Sequence, residues 1–200
     1  MTETKGINYE VGLKFHPEHR VDYEAISREI EHDLEDIKEM GCNSVRIYGD
    51  NPGNLYEDAS NRASYAKELE KYKRHGKPVA ITEFGTAPYK GAGHLGGYAH
   101  SVIDWQRGRL RRGLGFMPVF RDEKAQADYL ERLMKMYEEH EIDAHFIFEY
   151  ISWNTPHTPD DPKRDLSTGS FGLVHKTPEG EKVRSEAYHR VKQIIHETNN

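Results

Sequence analysis

Cysteine is almost missing: Cys42 stands alone in 200 residues, which rules out a disulfide within the chain and a cysteine-based zinc cluster and leaves the redox compartment open. Positive charge is also short. Lysine and arginine number 28 against 34 aspartates and glutamates, a formal net charge of -6, whereas a general nucleic-acid binder needs basic residues to displace phosphate counterions. No nucleic-acid partner is therefore expected, and a neutral or polar small substrate fits better. Long apolar runs are lacking too: none approaches the roughly 20 residues that span a bilayer. The opening MTETKGINYE has neither the basic segment nor the apolar core of a signal peptide. The expectation is a soluble, cytoplasmic chain with no membrane partner.

What is present is an alternation of strand and helix patterns, over a length that suits one domain, taken as residues 1–200. GINYEVGL (6–13) alternates apolar and polar residues as a strand does. Between Asp22 and Met40 the residues Ala25, Ile26, Ile30, Leu34 and Ile37 recur at helical spacing, and Gly41 ends that helix. CNSVRIYGD (42–50) reads as a second strand with Val45 and Ile47 on one face. A helix over 61–75, carried by Ala66, Leu69 and Tyr72 and ended by Gly76, leads into a strand over 78–84. A longer helix over 122–139, with Ala125, Tyr129, Leu133 and Met136 in register, leads into a strand over 144–151. A last helix covers about 185–196. The stretch KGAGHLGG (90–97) has neither the G-K-S/T ending of a P-loop nor the spacing of a dinucleotide fingerprint and reads as a flexible connection. RGRLRRG (107–113) reads as a solvated basic loop, and 152–172 as a long turn-rich one.

Strands alternating with helices predict a parallel sheet, whose functional groups gather at the carboxyl ends of the strands. Glu83 stands near the end of PVAITEFGT (78–86), Arg46 and Tyr48 near the end of their strand, and Trp153, Asn154 and His157 follow the last one. Glu83 is there either as a catalytic carboxylate or as a partner of Arg46 or a turn cap. Arg46 either holds such a carboxylate ionised through charge-assisted hydrogen bonds or fills a structural place between strands, and the two roles are compatible. Tyr48, Tyr89 and Trp153 offer aromatic faces for a sugar ring, with plain packing as the alternative; Asn154 is a polar neighbour. Alternation sets Glu149 on the face of Ile147 and Ile151, opposite Phe148 and Tyr150. The twelve histidines, among them His94, His100 and His157 beside Asp160 and Asp161, lack the i, i+4 helical spacing with a glutamate that marks a zinc protease. Neither a metal nor a cofactor is expected.

The segments GINYEVG, GCNSVRIYG, NRASYAKELEKYKRHGKPVAITEFGTAPYKGAG and DAHFIFEYISWNTPH resemble the glycosidase-like TIM barrels known in bacteria as abortive infection proteins, over nearly the whole chain. The resemblance implies that GINYEVG is barrel strand one, that Arg46 lies on strand two in N-x-V-R-I, that Glu83 takes the nucleophile position of strand seven in T-E-F-G, and that HFIFEYIS is strand eight. A full barrel of this kind takes about 250 residues, with its general acid usually in an N-E pair ending strand four. No such segment is present. DNPGNLYEDASNR leads directly into what resembles the helix before strand seven, with Tyr56 and Asp58 like residues that follow strand six. The implied fold is α/β, a partial (β/α)8 barrel of about four parallel strands resembling strands 1, 2, 7 and 8, with an internal deletion near 54–56. Strand eight neighbours strand one in a closed barrel, so the four survivors would remain contiguous. Open edges and an uncovered inner face would favour a homodimer that closes eight strands.

The function so implied is retaining cleavage of a β-linked glycoside, with carbohydrate as substrate and Glu83 as nucleophile supported by Arg46. Such chemistry uses two carboxyl groups about 5 to 5.5 Å apart; on the remaining strands only Glu149 and Glu10 are available as a substitute acid, with a partner-facing or helix-facing salt bridge as the other use of Glu149, and otherwise the proton donor comes from an unrecognised residue or a second subunit. The alternative is a non-catalytic carbohydrate-binding or phage-defence interaction protein. A third reading is a deleted fragment without a stable fold.

Overall fold

Strand and helix patterns alternate along the computed structural model, which describes residues 4–9, 23–47, 66, 69–70, 73–74, 76, 78–111 and 119–198. In chain order the elements are β1 (Thr4–Tyr9), α1 (Tyr23–Glu39), β2 (Ser44–Ile47), β3 (Ala80–Phe84), β4 (Ile103–Asp104) and β5 (Arg109–Leu110). Then follow α2 (Glu123–Glu139), β6 (Ala144–Ile147), β7 (Val174–Lys176), β8 (Lys182–Arg184) and α3 (Glu186–Thr198). The result is a mixed α/β fold around a small parallel sheet in the order β2-β1-β6-β3. No helix among the described residues is long and apolar enough to cross a membrane.

Pleating sorts the strand residues onto two faces. Ile7, Phe84 and Ile147 point to the side where Ile37 of α1, Met40 just after it, Leu133 and Tyr137 of α2 and Val191 and Ile195 of α3 complete the main core. Each such side chain removed from water is worth about 1.5–3 kcal/mol. On the opposite face Gly6 and Phe146 are register partners. A Cβ on Gly6 would come within 2.3 Å of the Phe146 ring, so this glycine is required by a close approach. The helices begin and end where the sequence predicts: Asp122 caps α2 by accepting from the Ala125 N–H at 2.9 Å, and Gly41, at φ 97°, follows α1.

Four expectations change. The strand expected over 144–151 ends at Ile147. The chain then wraps the sheet end, Phe148 N–H donating to the Phe84 carbonyl (2.8 Å) and Tyr150 N–H to the Asn8 carbonyl (3.0 Å). Alternation consequently fails, and Tyr150 enters the same core as Ile147. The stretch 90–97 is not a loose connection: 3-10 turns Ala92–His94 and Gly96–Val102 place Ala92, Ala99 and Val102 in a second cluster with Tyr89, Ile103 and Phe171. The basic stretch is in part an antiparallel ribbon, β4 with β5. The hairpin β7–β8 was not anticipated. The expected strand ends at 10–13 and 48–50, the 54–56 junction and much of the 61–75 helix lie outside the described residues, although Ala66, Leu69, Glu70 and Lys73 are helical.

Behind the sheet His145 is 1% exposed, with Phe84 and Tyr137 at centroid distances of 5.6 and 5.4 Å. Burial, with help from the Lys5 charge, pushes its pKa down to about 4. The unfolded imidazole takes its proton near pH 6.5, so the folded state is favoured above that pH and loses stability as the pH falls from about 6.5 to about 4. The loss from this residue should be on the order of 3 kcal/mol. In urea denaturation at stepped pH, His145→Leu should flatten the acid slope; an unchanged slope would contradict the assignment.

Candidate functional site

The carboxyl ends of β1, β6 and β3 meet around Asn8. It follows Ile7, so pleating turns it to the face away from the helices, and it is fully buried there. Its Nδ2 donates to the Thr82 carbonyl at 3.2 Å and lies 3.5 Å from that of Phe146, linking β1 to β3 across β6. Its Oδ1 has no hydrogen-bond partner among the described residues. The Thr82 carbonyl belongs to an irregular stretch: Ile81 pairs with His145 and Phe84 with Ile147, so three steps along β3 match two along β6. Such a bulge re-aims side chains, and bulges gather beside functional sites. Both Ile81 and Phe84 belong to the helix side. Glu83, the residue before Phe84, is half-buried and is presented by the bulge next to the residue that Asn8 holds.

Glu149 follows β6, and β6 is the neighbour of β3. The two strand ends touch closely, since a Cβ on Gly85 would lie 2.0 Å from the Phe148 carbonyl oxygen. Glu149 is 6% exposed; its carboxylate accepts from Ser152 Oγ, and its backbone is fixed by Phe171 and Leu173. The structure therefore brings the backbones of Glu83 and Glu149 to adjacent strand ends. Arg46 takes the register position beside Asn8, and its side chain lies outside the described residues. Arg46 and Glu83 are on the opposite edge strands, roughly 14 Å apart measured along the sheet. Contact between them would have to cross its inner face.

The residues expected to bind substrate are dispersed. Tyr89 is 5% exposed and belongs to the second cluster, its hydroxyl donating to the Ala99 carbonyl at 2.8 Å. Trp153 packs against the main core and carries the ammonium groups of Lys176 and Lys182 at 4.4 and 5.4 Å from its ring centroid. Asn154 is exposed in the following turn. Tyr48 and Glu10 lie outside the described residues.

His157 has a partner the sequence did not indicate. Its Nδ1 lies 3.1 Å from both Asp165 Oδ1 and Ser167 Oγ; Ser167 donates to Asp165 at 2.6 Å, and Arg121 donates to Ser167 at 2.8 Å. Burial resists the charge on Asp165, but hydrogen bonds from His157 and Ser167 and the nearby Arg121 charge hold its pKa far below the usual range. This is no hydrolytic triad. Serine and aspartate meet the same imidazole nitrogen, whereas a triad places them on opposite nitrogens, and Ser167 is fully buried. The set closes the 152–172 loop instead. Among the described residues no group of histidine, cysteine and carboxylate side chains is placed to hold a metal ion.

Neither a family model nor a curated protein matches the chain. Asn8 was missed by sequence reasoning because, in a strand that alternates apolar and polar residues, a polar residue at this position carries no signal of its own. Asn8→Ala should cost about 1–3 kcal/mol, because it removes the donor to a buried carbonyl. Asn8→Asp should cost at least as much at neutral pH, since a carboxylate cannot donate to Thr82. Chemical denaturation measures both, and a loss below about 0.5 kcal/mol in each would show the link to be dispensable.

Proposed function

We propose that the chain is a partial barrel of glycosidase type and that its site works by retaining cleavage of a β-linked glycoside. Glu83 attacks the anomeric carbon, and Glu149, the carboxyl group on the neighbouring strand end, protonates the leaving oxygen. The observation that carries the reading is the strand order β2-β1-β6-β3, all parallel, with Glu83 on the bulged carboxyl end of β3. In a closed (β/α)8 barrel the last strand lies beside the first, as β6 lies beside β1 here. Arg46 would keep the nucleophile ionised from across the inner face. Carbohydrate is the substrate class, and a second copy is the partner that would cover the strand edges left without a partner among the described residues.

The second reading, a carbohydrate-binding or phage-defence interaction protein without catalysis, draws on the sequence. The segment in which such barrels carry their general acid is not in the chain, and Glu149 already accepts a hydrogen bond from Ser152. Turnover separates the two. On 4-nitrophenyl β-glycosides the wild type should release nitrophenol, and Glu83→Ala should lose at least about a hundredfold in kcat, as expected when a covalent nucleophile is removed. Added azide should restore release in that variant, because a small anion can occupy the space of the missing carboxylate. Glu149→Gln should lose more activity on alkyl than on nitrophenyl glycosides, since the poorer leaving group needs the proton. Equal rates in wild type and Glu83→Ala would leave the binding reading. Light scattering at micromolar concentration should give twice the monomer mass; a well-folded monomer would remove the closing partner.

A further inference from the structure

A groove of about 540 Å³ runs between the Tyr89–His94 segment and the amino-terminal half of α2, and it shares no residue with the Glu83 site. We propose that this groove binds a small phosphate monoester. On the helix side its wall is one face of α2: Asp122, Ala125, Tyr129 and Arg132 recur at three- and four-residue intervals. The opposite wall is backbone. Gly91 has a φ of +86° with open space above it, and a Cβ on Gly93 would lie 2.5 Å from the Tyr129 ring. Glycine lets this segment lie flat on Tyr129, and the floor is thereby closed by Tyr89 and Tyr129, 5% and 2% exposed.

The charges in the groove point to the ligand. Lys124 is paired with Asp128, and Asp128 also meets Arg190 at 3.5 Å. Asp122 accepts from the Ala125 N–H as the helix cap. Lys124 and Asp128 neutralise one another, and Asp122 keeps its charge at the helix amino terminus. Lys90, on the backbone wall, is in no ion pair among the described residues; Arg132, on the helix wall, is in none either, although its charge helps hold the Asp128 pKa down, and exposed His94 lines the same groove. Two cations outside any ion pair, on facing walls of one groove in a chain of net charge -6, are arranged for an anion. A guanidinium fork grips two phosphate oxygens at once, and an ammonium adds a point charge. Small-molecule pockets of 300–1,000 Å³ are usually lined with apolar groups; this one offers polar walls over a short tyrosine floor. A compact polar molecule with a terminal dianion fits it, and the volume leaves room for the organic part of an ester.

Isothermal titration with glycerol 2-phosphate, with inorganic phosphate and glycerol at matched ionic strength as controls, tests the proposal. The ester should bind saturably at one site per chain and more tightly than inorganic phosphate, and glycerol should not bind. Lys90→Gln combined with Arg132→Gln should weaken the ester at least about tenfold, a loss comparable to one charge-assisted hydrogen bond. Both residues are exposed, so the fold should persist, as circular dichroism would show. Ala125→Phe, which fills the groove without changing charge, should abolish binding. Absence of saturable ester binding, equal affinity for inorganic phosphate, or undiminished affinity in the double variant would overturn the proposal. Activity on glycosides is no part of this test, so its outcome is independent of the role of Glu83.

Discussion

A buried carboxylate, Asp36, organises the chain. It sits on the inward side of α1, 6% exposed, and accepts from the Tyr150 hydroxyl at 2.6 Å, the Tyr188 hydroxyl at 2.8 Å and Arg184. Burial disfavours its charge, but hydrogen bonds from Tyr150, Arg184 and Tyr188 prevail and keep the pKa below the ordinary value. The same bonding, after burial, raises the pKa of both phenols. One charge thereby ties α1 to the turn after β6, to β8 and to α3, which are distant in sequence. Removing such a charge alone would leave two buried phenol donors, Tyr150 and Tyr188, without their acceptor, the costly way to break a buried network, whereas Arg184, 42% exposed, would turn to water. Tyr150 is the residue after Glu149, so this anchor also fixes the backbone that carries the candidate acid.

Position 150 also shows where sequence reasoning stops. Periodicity located α1, α2 and α3 nearly to the residue, because an amphipathic face is written in consecutive side chains and both the cap at Asp122 and the glycine at 41 are local signals. The cores of the four strands of the parallel sheet were equally legible, whereas the short pairs β4–β5 and β7–β8 were not. What failed depends on partners far along the chain. Alternation predicted opposite faces for Ile147 and Tyr150, but the backbone leaves the ladder once Phe148 and Tyr150 find carbonyls on β3 and β1. The bulge in β3 has no local signature in AITEF, since it is defined by register against β6. His157 was considered beside Asp160 and Asp161, its neighbours in sequence, whereas the loop folds to bring Asp165 and Ser167 to it. Of the candidate site, the address of Glu83 at a strand end was legible; Asn8, the group that ties its strand to β1, became visible only in three dimensions.

Asn8 and the bulge together bear on how a carboxylate could act at this place. A catalytic group must be held in position by a surrounding shell rather than by its own flexible side chain. Asn8 holds the Thr82 carbonyl, the Gly85–Phe148 contact locks β3 to β6, and Asp36 holds the segment beyond Glu149 through Tyr150. The constraints come from three different elements and converge on two adjacent strand ends. Gly6 contributes from the same face, because the missing Cβ lets the Phe146 ring lie against β1.

Many of the described basic residues are paired with carboxylates. Lys182 meets Asp33, Arg184 meets Asp36, Arg190 meets Glu131, Lys192 meets Glu39 and Arg121 meets Glu123. Exposed pairs such as Lys192 with Glu39 contribute little to stability, so their main effect is to cancel local potential in a chain that already has more acids than bases. Lys90 and Arg132 are two cations outside any such pair on facing walls of a single groove, where their fields add over a short distance against the charges of Asp122 and Asp128.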